Sequence, residues 1–413
     1  MTSATSIARA REAMTLRRAV LPLLAGATPT SDELDVLRAA PAAAWQLVAA
    51  AECCALPLRA RLRSTELLRS LASEVQSALS AAELQEMQRV MAARAELRLL
   101  DSIAVAQDVE IVVLKGGAVV AEQDRAPLDL GDVDVLTSRD GATKLWQALI
   151  DAGWTEKQTA GLSAIEPEDS AFNHFVPLLP PDDGIAVELH QRVRYDMAGP
   201  EKDAPLTTRA LNGHQALRRP VGAAAIVLLL EHSVIQHPHR RGHLRDVALL
   251  ADALLECSET ERATLPSRLD GLRFEPEMRE MLGIAEAFAR GDHAKDSDPM
   301  RRAVARKYLL VLGEERRRSA RIPAWWQLSS IGFERPSIRG SLYADLLRSA
   351  FTAIPPDSRF RARGLARHAP RLLQAVGWAA RAAYRTGLTA LVAASGPAVR
   401  RGIDAVLRAD PSV

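Results

Sequence analysis

Over its first hundred residues the chain sets leucines among charges at spacings of three and four, the period of helices that bury one face. Leu23, Leu34, Leu37, Leu47, Leu56, Leu58, Leu62 and Leu67-Leu68 carry that rhythm, and Ser31-Asp-Glu-Leu34 reads as an N-cap with acids in the first turn. Over residues 80–103 the pattern predicts one amphipathic helix with Leu84, Met87, Val90, Met91, Leu97 and Leu100 on a single face. The character changes at Val109. Val109-Glu-Ile-Val-Val-Leu114 is a β-branched strand run, Lys115-Gly116-Gly117 turns the chain, and 118–123 reads as a short helix. Gly131 leads into a second strand, Asp132-Val-Asp-Val-Leu136, and a helix over 139–152 is closed by Gly153. Residues 172–179 and 185–193 are two more strand runs, joined by Pro180-Pro-Asp-Asp-Gly184, which is turn chemistry for a hairpin. After Pro220 the helical period returns, over 221–235, over 242–257 and again from Glu275. The expected fold class is therefore α+β, a small mixed sheet embedded in a predominantly helical chain.

Composition narrows this picture. Of 413 residues, 48% are hydrophobic and 25% charged, the balance of a globular chain. At roughly 150 residues per domain the length implies two to three units. The pattern divides the chain into a helical region 1–98, an α/β unit 99–200, a helical region 201–300 and an Arg-rich helical stretch 301–413. Basic and acidic residues nearly cancel, 53 against 51, so the whole chain makes no case for a nucleic-acid binder. From residue 358 onward, however, there are ten Arg, no Lys and only two acids. That stretch reads as a solvated helical face, as an interfacial helix making peripheral membrane contact, or as a nucleic-acid contact. In the second reading Leu372, Leu373, Val376, Trp378 and Tyr384 interleave with Arg371, Arg381 and Arg385.

Three cysteines, two of them adjacent, make neither a disulfide framework nor a zinc site and point to a reducing, cytoplasmic setting. The run that begins at Arg17-Arg18 only loosely mimics a signal peptide, because Pro22 interrupts it and a charged stretch precedes it. No transmembrane segment is expected: the uncharged run 386–399 is shorter than the ~20 residues a bilayer requires.

The chemistry concentrates in the strand-rich stretch. Residues i and i+2 of a strand share a face, so Asp132 and Asp134 present two carboxylates side by side. Like charges so placed raise each other's pKa, and a divalent cation between them relieves that; hard oxygen donors suit Mg²⁺ or Mn²⁺. Glu188, in Val187-Glu-Leu-His190, offers a third oxygen from a neighbouring strand. Three carboxylates around two cations can hold both the attacking and the leaving oxygens of a phosphoryl displacement. A strand that leads through Gly116-Gly117 into a helix leaves backbone N–H groups open to an anion, and Lys115 adds a positive charge for it.

These residues resemble the DNA polymerase β-like nucleotidyltransferase superfamily, and within it the bacterial branch described only as uncharacterised nucleotidyltransferases. The likeness rests on Leu114-Lys-Gly116, Asp132-Val-Asp-Val-Leu136, a following helix ending Ala152-Gly-Trp154, and Val187-Glu-Leu-His190, and covers roughly residues 85–260. It implies a Mg²⁺ (or Mn²⁺) enzyme that moves NMP from an NTP to an acceptor hydroxyl and releases pyrophosphate. Asp132, Asp134 and Glu188 would be its metal-binding and catalytic carboxylates. Lys115, Gly116 and Gly117 would hold the triphosphate, and Arg125 is either a further phosphate contact or a surface residue. Two positions depart from the branch. Where it carries Arg three or four places before the first Asp, this chain has Asp129 and Leu128, and the third acid is Glu rather than Asp.

The resemblance names no acceptor. It also admits a toxin that nucleotidylates tRNA or protein, and the Arg-rich tail admits a non-catalytic nucleotide-binding scaffold. A His–Asp phosphohydrolase built on His232, His237, His239, His243 and Asp246 is disfavoured, since Pro238 breaks the helix and no His-Asp dipeptide occurs. Arg245 and Asp246 are expected to line the cleft or to pair across a helix interface. His190 is either structural or a contact to the acceptor.

Overall fold

Leucine-rich segments with few strand formers fold first into helices: α1 (Ala4–Ala25), α2 (Ser31–Ala39), α3 (Ala42–Glu52), α4 (Ala55–Ser64) and the long α5 (Ser73–Ala106). The computed structural model describes residues 4–122, 128–156, 175, 177–182, 184–190, 206–236, 242–272, 274–292, 297–315 and 401–408. The N-cap of α2 is Thr30, one residue ahead of the expected Ser31. Its hydroxyl accepts from the Glu33 N–H, and the Glu33 carboxylate accepts from the Thr30 N–H in return. The stretch resembling a signal peptide is core: Arg17, Val20, Leu21 and Leu23 are buried within α1.

The expected face of α5 is corrected in part. Val90, Leu97 and Leu100 are buried, but Leu84 and Met91 are 60% and 53% exposed. Glu86 and Glu96 take places in the buried face instead. Each has main-chain donors to satisfy: Glu86 accepts from the Ala55 and Leu56 N–H groups at 2.9 and 2.7 Å, capping α4, and Glu96 accepts from the Ile185 N–H at 2.6 Å. Apolar counting misses such acids because it scores them as surface.

Burial pushes both carboxyls up to about 7, against the N–H groups that would lower them. A folded-state pKa above the unfolded value means that the native state holds the proton more tightly. These two groups therefore make stability fall as pH rises from about 4.5 to about 7, and contribute no further change above that. Urea midpoints at pH 5 and pH 8 should show this decline reduced in Glu86→Gln and in Glu96→Gln. A decline of wild-type size in both variants would contradict it.

Among the described residues the mixed sheet has seven strands: β1 (Ile111–Val113), β2 (Asp132–Leu136), β3 (Thr155–Glu156), β4 (Leu178–Leu179), β5 (Ala186–His190), β6 (Thr208–Ala210) and β7 (Leu217–Pro220). Their order is β3-β4-β5-β2-β1-β7-β6. β4 and β5 pair antiparallel, with Leu178 opposite Val187; of the two expected runs, residues 172–174, 176 and 191–193 lie outside the described residues. Two strands lie beyond residue 200, where no strand was expected: β7 pairs parallel with β1, and β6 antiparallel with β7. One sheet face, with Ile111, Val113, Val133, Val135, Val187 and Leu189, packs against α5 and against α7 (Arg139–Asp151) through Leu97, Leu100, Leu145 and Leu149. Between β1 and β2 lies α6 (Lys115–Ala121), which begins three residues before the expected start.

α8 (Gly222–Glu231) runs on into a π-helical turn, His232–Gln236, and α9 (Leu244–Glu256), α10 (Glu259–Leu269), α11 (Glu275–Ala289) and α12 (Asp298–Glu315) follow. They share one apolar core with α1 to α4. Inside it lies a charge cluster. The Glu52 carboxylate meets Arg17 Nε at 3.3 Å, Lys307 Nζ at 2.6 Å, the Tyr308 hydroxyl at 2.7 Å and the Leu244 N–H at 3.0 Å, all of them buried. Burial works to raise the Glu52 pKa, but Lys307 and Arg17 overcome it and hold the carboxyl below its ordinary value.

Residues 401–408 join this body through Arg11, which donates to the Ala405 carbonyl at 3.0 Å, and through Arg302 with Asp404 at 3.0 Å. Of the Arg-rich stretch, residues 316–400 and 409–413 lie outside the described residues. Cys53, Cys54 and Cys257 form no disulfide among the described residues, and no helix described is long and apolar enough to cross a membrane.

Candidate active site

β2 and β5 run parallel in the register Asp132↔Ala186, Asp134↔Glu188, Leu136↔His190. Paired residues share a face, so Asp134 and Glu188 stand side by side, with His190 two positions along from Glu188 on the same face. The intervening valines and Leu189 fill the core, which fixes this register: a slip of one residue would turn the acids into the apolar layer. One ligand atom each from Asp134, Glu188 and His190 lies within 4.8 Å of the others.

Lys115 joins this group from the end of β1. The Leu114 N–H donates to the Asp134 carbonyl at 2.9 Å, which brings the start of α6 alongside β2. Lys115 then takes a left-handed backbone, φ +53°, uncommon for a side-chain-bearing residue, and its ammonium donates to Asp134 Oδ1 at 2.9 Å. His190 Nε2 lies 2.8 Å from the same oxygen and 3.7 Å from Glu188 Oε2. A carboxylate only accepts, so Nε2 carries a proton and donates.

Burial works to raise the Asp134 pKa, but the Lys115 charge, the His190 hydrogen bond and a further attraction from His232 outweigh it and hold the carboxyl well below the usual carboxylate range. For His190, burial favours the neutral ring, while its hydrogen bonds to Asp134 and Glu188 prevail and raise the pKa.

The two glycines are buried at the first turn of α6. A Cβ on Gly117 would stand 3.0 Å from Val113 Cγ1, a tight approach that a larger residue could take only if Val113 gave way by a few tenths of an ångström. One on Gly116 would meet Leu130 Cβ at an ordinary 3.9 Å. The segment entering β2 is gripped from two helices. Arg89 of α5 donates to both Asp129 carboxylate oxygens, at 2.5 and 2.9 Å, and Arg245 of α9 donates to the Asp129 carbonyl at 3.3 Å and to Asp246 at 3.0 Å. Asp129, at a position where the branch carries Arg, thus holds a guanidinium brought by another element.

Of the residues singled out from sequence, Lys115, Asp134 and Glu188 come together, and Gly116 and Gly117 follow directly on Lys115. Asp132 is on the same strand face and half-buried, yet it is not one of the three convergent ligands; its register partner is Ala186. Arg125 lies outside the described residues, as do His237 and His239. The residue that sequence reasoning left undecided is His190. Its signal was present, because a residue two places after Glu188 in a strand must share its face. Asp134 and Glu188 so placed are a pair of oxygen donors that fits a divalent cation, and Asp134 is too buried for an unbalanced charge to be cheap there.

The family described as uncharacterised nucleotidyltransferase matches residues 41–290. That is more than half of the chain, and the protein belongs to this family. Membership supports a nucleotidyltransferase activity in general. No curated protein and no solved structure matches the chain.

Proposed function

We propose that the protein transfers a nucleoside monophosphate from an NTP to an acceptor hydroxyl and releases pyrophosphate, with Mg²⁺ or Mn²⁺ as its cofactor. The observation that carries this reading is the convergence of Asp134, Glu188 and His190 within 4.8 Å, beside Lys115, in a chain of this family. Asp134 and Glu188 would hold the cation, with Asp132 next to them on the strand face and His190 orienting the Asp134 carboxylate. When bound, the ion would neutralise charge on the transferring phosphoryl group and make the acceptor hydroxyl more acidic.

Lys115 supplies a positive charge to the β- and γ-phosphates at the Gly116-Gly117 turn. Glu188 is the more open of the two carboxylates, its side chain 20% exposed against 6% for Asp134, and is the better placed to take the acceptor's proton.

The test is incubation with each labelled NTP, Mg²⁺ and a cell lysate. Pyrophosphate release with label on a small molecule is expected. Label on tRNA or protein would move the reading to the toxin class. NTP binding in calorimetry with no turnover over a broad acceptor screen would sink it in favour of a nucleotide-binding scaffold.

A further inference from the structure

The ammonium of Lys115 sits on the carboxylate that the proposed reaction needs for a metal ion. Asp134 Oδ1 receives two donors at once, Lys115 Nζ at 2.9 Å and His190 Nε2 at 2.8 Å, and Glu188 lies within reach of the same point. The Lys115 and Asp134 side chains are only 9% and 6% exposed, so water does little to screen either charge.

Two consequences follow from charge alone. A bare dication that entered this site would have to share the Asp134 carboxylate with the ammonium and would be repelled by it. An ammonium that left the site alone would be buried without its counter-charge, which is strongly unfavourable. Both obstacles vanish when the cation arrives with a polyanion, because the ammonium then moves from the carboxylate to the phosphates and every charge stays matched. The four-carbon lysine arm, rooted at the turn into α6, suits such an exchange better than a rigid guanidinium would.

We propose that Lys115 is an exchangeable counter-ion: it fills the cation position in the nucleotide-free protein and yields it only to a cation–triphosphate pair. This rests on the nucleotidyl-transfer reading and adds an order to it, in which free metal is turned away and metal-bound NTP is admitted.

The experiment measures Mn²⁺ binding through the electron paramagnetic resonance of the free ion, with and without a non-hydrolysable NTP analogue. The proteins are wild type, Lys115→Met, Lys115→Asn and Asp134→Asn. Asn tolerates the left-handed backbone and guards against a folding defect in the Met variant. Without nucleotide, both Lys115 variants should bind Mn²⁺ about tenfold or more tighter than wild type. With the analogue that advantage should vanish or reverse, and Asp134→Asn should bind no ion in either condition.

Lys115 variants that bind Mn²⁺ no tighter than wild type, while Asp134→Asn loses it, would overturn the exchange and leave the metal site standing. Wild type that binds Mn²⁺ equally well with and without the analogue would overturn it too. Asp134→Asn that retains full Mn²⁺ affinity beside the analogue would remove the metal-site reading itself, and the exchange with it.

Discussion

Asp134→Asn is expected to lower Mg²⁺-dependent pyrophosphate release by more than about a thousandfold, in a protein that still folds but is less stable because Lys115 loses its buried counter-charge. The substitution keeps the shape of the side chain and an oxygen that can still accept from His190, so β2 and β5 retain their pairing. What disappears is the negative charge on which Lys115 and His190 converge at 2.9 and 2.8 Å, and around which the proposed site is built. The rate at saturating NTP, read alongside circular dichroism, separates the two effects. Turnover at the wild-type rate in a folded Asp134→Asn protein would refute the assignment of this carboxylate.

The second large effect lies far from the chemistry. Glu52→Gln should destabilise the protein by about 3–5 kcal/mol, the usual cost of breaking a buried ion pair by removing one partner. One buried carboxylate here serves Arg17 of α1, Lys307 and Tyr308 of α12, and the first N–H of α9. Gln keeps the volume and can still accept one hydrogen bond, but it removes the negative charge that the two cations share. Lys307→Met should cost less, because Arg17 stays paired with Glu52. Guanidinium unfolding followed by circular dichroism gives both values; a shift below about 1 kcal/mol for Glu52→Gln would show that the cluster contributes little.

The elements that the sequence makes legible are those with strong local signals. β2 runs over Asp132–Leu136 as the alternation of acids and apolar residues predicts, and the Pro-Pro-Asp-Asp-Gly turn joins β4 to β5. β6 and β7 are only three and four residues long, and Leu-Arg-Arg-Pro carries no alternation that would mark it as a strand. Its strand character comes from the partner strand β1, a non-local cause. The start of α6 is hidden because two adjacent glycines read as a turn, while the close approach of Gly117 to Val113 of β1 is a tertiary contact.

In the site, sequence spacing places Asp132 and Asp134 on one face but says nothing of the register against β5. That register sets Glu188 opposite Asp134, with His190 beside them on the same face. Acids in the helical core, Glu52 and Glu86 among them, escape any reading that assigns charges to solvent.

The parallel pairing of β1 with β7 has a cost during synthesis. The neighbour of Ile111 and Val112 on that side is Leu217 and Arg218, about a hundred residues downstream. At roughly 5–20 residues per second on the ribosome, the flank of β1 therefore waits about 5–20 seconds before its partner emerges. During that interval the nascent chain offers an apolar strand with open hydrogen-bonding groups to any other chain nearby. Slow translation between residues 113 and 217 would prolong that exposure, and a chaperone that shields the β1 flank would raise the yield of native protein.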